Sequence, residues 1–158
     1  MIVVSNTTPI ISLSSIGRID LIGKIFDKVV IPRAVYNEIK SKKHYGYEEV
    51  DKDFFVVKEL SDRRYLDLLL LDVDLGEAEA ILLSKELNAD ILLLDERMGI
   101  DLARFNNIFC VGTLTVLKIA KDMGLIEKIK PLLDNMIIKG RYYSRSVYNS
   151  FLAKIGEF

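Results

Sequence analysis

One local pattern, repeated along the chain, most constrains its fold: a short aliphatic run, a polar corner, then apolar residues at helix spacing. The first instance is Ile2-Val3-Val4, followed by Ser5-Asn6-Thr7-Thr8 and then Pro9-Ile10-Ile11. A β-branched run without polar alternation suits a parallel strand buried on both faces. Thr7 or Thr8 can cap the helix that follows, with Pro9 at its first position, where a missing N–H costs nothing. Apolar runs at 27–32, 54–57, 91–94 and 108–111 predict four further strands, the one at 54–57 peripheral.

Between the strands, helix-spaced segments predict helices over 10–16 and 19–25 on either side of Gly17, and over 33–39. Others are expected from a cap at Ser61-Asp62 to about Leu71, over 77–87 after the turn Asp72–Gly76, and over 97–105. The last three cover 112–123, 126–138 and 144–155. Strand and helix alternating over short connections make an α/β fold, three layers (α/β/α) around a central parallel sheet. No repeat, low-complexity tract or linker divides the chain, so 1–158 reads as a single domain.

Composition narrows the function classes. A net charge of −1 argues against coating nucleic acid by bulk charge, although it permits a local grip. No apolar run approaches the roughly 20 residues of a membrane span, and no basic leader precedes an apolar segment. The single cysteine, Cys110, excludes an internal disulfide, reads as a buried thiol and fits a reducing, cytoplasmic setting. The only histidine, His44, lies in the polar loop 41–48, reads as solvated and is given no role.

Chemistry is expected at the carboxyl edge of the sheet, where open α/β folds bind ligands. Asn6 ends the first strand and Asp95 a later one, so the two can converge. Glu38 lies on the helix after the second strand, and Glu77 opens the helix after Gly76. Three carboxylates and an amide oxygen form an all-oxygen set suited to Mg²⁺ or Mn²⁺, ions that support phosphodiester hydrolysis. The same acids also have a structural reading. Helix dipoles favour Glu77, Glu79 and Glu96 at N-termini, and Asp95 can be a cap. Spacing alone leaves both readings open.

Several stretches, in this order and spacing, resemble the PIN domain family, in particular a prokaryotic PIN-like subfamily related to the VapC toxins. They are Val4–Ile11, Val30–Pro32 to Glu38-Ile39, Gly76-Glu77-Ala78-Glu79-Ala80-Ile81, Leu87–Asp95 and Val111-Gly112-Thr113-Leu114. The resemblance is strongest over 2–138, leaving the helices of 139–158 accessory. It implies a Mg²⁺- or Mn²⁺-dependent endoribonuclease whose acid quartet falls on Asn6, Glu38, Glu77 and Asp95, with Glu38, Glu77 and Asp95 catalytic. Glu79 and Glu96 are second choices. Thr7 or Thr8 matches the family's hydroxyl after the first acid, and Thr113 a polar position facing the site. Asn6 departs from the family's aspartate and removes one negative charge, which weakens metal binding.

The resemblance also implies a homodimer held by a small antitoxin. The apolar residues Ile19, Ile22, Leu68 and Leu70, beyond what one buried stripe needs, permit such a surface. RNA contacts are expected from Arg97 and Arg104, seven residues apart on one helix, and from Lys139, Arg141 and Arg145 among tyrosines. The alternative to the ribonuclease is a catalytically impaired module that binds RNA or a protein partner. A receiver-type domain is disfavoured, because Ser5-Asn6 lacks the acidic pair it needs.

Overall fold

A computed structural model describes residues 1–158. Five strands form one sheet: β1 (Val3–Ser5), β2 (Val29–Pro32), β3 (Phe55–Lys58), β4 (Ile91–Leu93) and β5 (Cys110–Val111). All pairings are parallel, in the order β3-β2-β1-β4-β5, with Val4 opposite Val30 on one side and Ser5 opposite Leu93 on the other. The winding direction reverses between β1 and β4. That junction is the topological switch point, where the connections leave a crevice at the carboxyl edge.

Before β2 come α1 (Thr7–Ser15) and α2 (Asp20–Phe26), and after it α3 (Arg33–Lys40). A short α4 (Leu66–Leu69) and the longer α5 (Leu75–Glu86) lead to β4, and α6 (Arg97–Phe105) to β5. The chain finishes with α7 (Thr113–Asp122), α8 (Lys130–Ile138) and α9 (Arg145–Ile155). Alternate residues of each strand point to opposite faces. Val3 and Leu93 join a core with α1, α2, α7, α8 and Leu152 of α9, while Val4, Leu92 and Leu94 pack against α5 and α6. This is the expected three-layer α/β/α arrangement, and β3 is the peripheral edge strand.

Several local expectations are corrected. The cap of α1 is Asn6, not a threonine, and Pro9 sits third in the helix, still within the turn whose N–H groups need no helical partner. The helix expected from Ser61 shrinks to α4. The N–H groups of Ser61 and Asp62 donate to Glu86, and the Asp62 carboxylate accepts from Arg64, so this stretch is held as a loop. In α8, Pro131 is the second residue; its ring would clash with the carbonyl of a helix begun at 126. Ile19 and Ile22 are core residues, whereas Leu68 and Leu70 are exposed. Cys110 is half-buried, and burial pushes its thiol up to about 11.

Candidate functional site in an acidic cleft

Asn6 stands at the switch point. Its N–H donates to Leu93 O at 2.9 Å, tying the end of β1 to β4. The side chain is 3 % exposed and occupies a helix N-cap position without accepting a backbone N–H. Its Nδ2 donates to Glu96 Oε2 at 3.3 Å, and Glu96 Oε1 accepts from Thr8 Oγ1 at 2.5 Å. Asn6 Oδ1 is left buried with no partner, as is Thr7 Oγ1. A buried acceptor without a donor costs about 1–3 kcal/mol. An oxygen kept that way is available to something the fold itself does not supply.

Glu77 lies in the first turn of α5. Asp74 caps that helix, its Oδ1 accepting from Glu77 N at 2.8 Å. The Glu77 carboxyl is pushed up to about 7, first by burial and then by the negative charges of Asp74, Glu96 and Glu38. Gly99 of α6 makes room for it, since a Cβ there would lie 2.8 Å from Glu77 Oε2. Glu38, on the last turn of α3, faces the same space. Together Asn6, Glu38, Asp74 and Glu96 line a cleft of about 440 Å³. Lys42, His44 and Tyr45 line the same cleft.

The predicted quartet is thus brought together only in part. Asn6, Glu38 and Glu77 converge, joined by Asp74 and Glu96. Asp95 turns towards α7, its Oδ1 accepting from Thr113 N at 2.7 Å and its Oδ2 from Thr113 Oγ1 at 2.6 Å. Arg141 Nη2 lies 3.7 Å from the same Oδ2. Asp95 and Thr113 therefore form a buried cap. Glu79 is a tie behind the site: it accepts from Ala34 N and from Arg63 Nη1, each at 3.0 Å, fixing the start of α3 against α5. Asp74 went unassigned by sequence reasoning, although the Asp74-x-x-Glu77 spacing carries the signal of a capping box.

None of the five cations expected to contact RNA lines the cleft. Arg97 is exposed at the start of α6, beside Glu96. Arg104 is at the far end of that helix, near Cys110. Lys139 is exposed on the connection between α8 and α9, and Arg145 is exposed as the first residue of α9. Arg141 is the one near the carboxyl edge, 4.8 Å over the Tyr143 ring, with its Nε buried and unpartnered. Burial pushes the Tyr143 hydroxyl up to about 12.

The donor set is chemically suited to a hard cation: carboxylates, an amide oxygen without a partner, and a Glu77 carboxyl that burial, then its acidic neighbours, raise to about 7. No group of three or more acids is placed to hold a metal ion by itself. Mg²⁺ does not require one, since it keeps several waters and takes one or two carboxylates plus substrate phosphate. The residues present fit such an ion.

A parallel α/β sheet with an acidic crevice at its switch point defines a class of ligand-binding α/β proteins. Within that class, a family model described as a PIN domain matches residues 2–157, and the chain belongs to the PIN domain family, a nuclease-type fold. Comparisons with curated proteins and with solved structures each found no match. No helix is long and apolar enough to cross a membrane.

Proposed function

We propose that this protein is a Mg²⁺- or Mn²⁺-dependent endoribonuclease of the VapC-like kind, with its site in the acidic cleft. The observation that carries this reading is the unpartnered Asn6 Oδ1, buried at the switch point among Glu38, Asp74, Glu77 and Glu96. When bound, a divalent cation supplies charge neutralisation for the phosphodiester and acidifies water. Asn6, Asp74 and Glu77 would hold it, with Glu38 and Glu96 at the rim. Glu96 orients the Asn6 amide by accepting from Nδ2, which turns Oδ1 inward. Glu77, its carboxyl pushed up to about 7, would have to give up its proton to hold the cation. Asp95 acts one layer back, setting the start of α7 and the connection that carries Arg141.

Asn6 favours keeping a second reading in view, a binding module with impaired catalysis, because an amide brings one negative charge fewer than a carboxylate. Assembly as a homodimer and control by a small antitoxin belong to the same proposal. The exposed Leu68, Leu70 and Leu71 around α4 are the apolar surface that supports them. The test is cleavage of a labelled RNA pool with Mn²⁺, Mg²⁺ or EDTA, beside identically purified Glu77→Gln and Asp74→Asn variants. Metal-dependent cleavage that both variants lose supports the nuclease. Binding without metal-dependent turnover supports the module.

A further inference from the structure

Part of the lining of the cleft comes from the loop after α3, a stretch whose composition suggests only solvated surface. Lys42, His44 and Tyr45 line the same cavity as Glu38, Asp74 and Glu96. The loop is built rather than loose. His44 N donates to Lys42 O at 2.9 Å, and Tyr47 N to His44 O at 3.1 Å. Gly46 adopts φ +90°, conformational space that glycine enters freely, and its N–H donates to Glu49 Oε2 at 3.0 Å. Lys40 Nζ fastens the far side by donating to Tyr47 O and to Asp51 Oδ2, each at 2.7 Å. On this frame the His44 and Tyr45 rings lie 4.2 Å apart, centroid to centroid, tilted by 37°.

The lining is therefore chemically mixed: carboxylates share the cleft with a primary amine, an imidazole and a phenol ring. A polyanion has no reason to approach the carboxylates alone, and the amine and imidazole supply that reason. The volume of about 440 Å³ falls within the roughly 300–1,000 Å³ of sites that enclose a small ligand, enough for a nucleotide unit.

We propose that this loop is the substrate-gripping wall of the cleft: Lys42 and His44 hold a backbone phosphate next to the scissile one, and Tyr45 stacks on the adjoining base of single-stranded RNA. The assignment rests on the ribonuclease reading above and names residues that neither the family match nor the acid pattern singles out. Phosphate contact by Lys42 contributes a salt-dependent attraction, and aromatic stacking a sequence-tolerant one.

The test is fluorescence anisotropy of a labelled single-stranded RNA in Mg²⁺ across a salt series, with cleavage kinetics on the same proteins. It compares wild type with Lys42→Ala, His44→Ala and Tyr45→Leu, and with Lys154→Ala, exposed in the last turn of α9, as a remote basic control. Lys42→Ala should flatten the slope of log Kd against log salt by about 0.7, the value for one phosphate contact on a single strand. Tyr45→Leu should weaken binding at least about 5-fold, the low end of base–aromatic stacking. All three loop variants should raise KM with kcat largely kept, and Lys154→Ala should change neither. Normal binding and KM in the loop variants, while wild type still cleaves RNA, overturns this assignment and leaves the nuclease standing. Absence of RNA binding by wild type overturns both.

Discussion

Replacing Glu77 with glutamine should make the cation-free protein more stable, increasingly so as pH rises above about 4.5. The carboxyl is 8 % exposed and surrounded by Asp74, Glu96 and Glu38, which lift it from its ordinary 4.5 to about 7 in the folded chain. Below about pH 4.5 it is protonated in both folded and unfolded chains, and the site carries no penalty. Between about 4.5 and 7 the unfolded chain releases the proton while the folded chain keeps it, so stability falls as pH rises. Above 7 the loss levels off near 3 kcal/mol, at about 1.4 kcal/mol per pH unit of that interval. Glutamine keeps the shape and removes the charge. In EDTA at pH 8, Glu77→Gln should therefore be more stable by up to about 3 kcal/mol, a rise in Tm of roughly 6–12 °C for a chain of this size. At pH 4 the two proteins should melt alike. Millimolar Mn²⁺ at pH 8 should reverse the order, because ligand stabilisation by RT ln(1 + [L]/Kd) reaches wild type alone. The assay is thermal and denaturant unfolding across pH, with EDTA and with Mn²⁺. A variant that is less stable than wild type at pH 8 in EDTA, or a difference that ignores pH, would refute the reasoning.

The other predictions concern the neighbours of that carboxyl. Asp95→Ala should cost about 2–4 kcal/mol in denaturant unfolding, since it removes a helix cap and leaves the Thr113 hydroxyl, in a fully buried residue, unsatisfied. Its Mn²⁺ affinity, measured below the unfolding transition, should stay close to wild type, because Asp95 is neither among the residues lining the cleft nor among the charges that raise Glu77. Asn6→Asp should lower stability in EDTA by adding a charge to the acidic cleft, tighten Mn²⁺ binding, and raise the rate of RNA cleavage. An unchanged Mn²⁺ titration for Asn6→Asp would remove Asn6 from the ligand set.

The strands were legible because each is an uninterrupted apolar run, and burial on both faces of a parallel sheet demands that pattern. Asn6 and Glu77 were legible because strand ends and first helical turns place residues at the carboxyl edge whatever their side chains do, whereas Glu38, on the last turn of α3, rested on the family resemblance. The choice between Asp95 and Glu96 was not. Leu94 N still donates to Val111 O, so the chain remains strand-like to that point, and neighbouring residues there leave on opposite sides. Which one faces the cleft depends on α7, where Thr113 takes Asp95. Glu79 follows Glu77 by two residues, which on a helix is the opposite side, so it could not share the site. His44 carried no periodic signal at all. Its place in the cleft comes from a loop folded back across α3, a tertiary fact that local sequence does not encode.

The account rests on the acidic cleft holding a hard cation, and direct Mn²⁺ titration by calorimetry at pH 7.5 tests that claim without requiring turnover. Wild type should bind Mn²⁺ and release protons, with binding weakening as pH falls below about 7. Glu77→Gln and Asp74→Asn should abolish or greatly weaken it, and Asp95→Asn should not. Failure of wild type to bind, or equal binding by the Glu77 and Asp74 variants, would contradict the account.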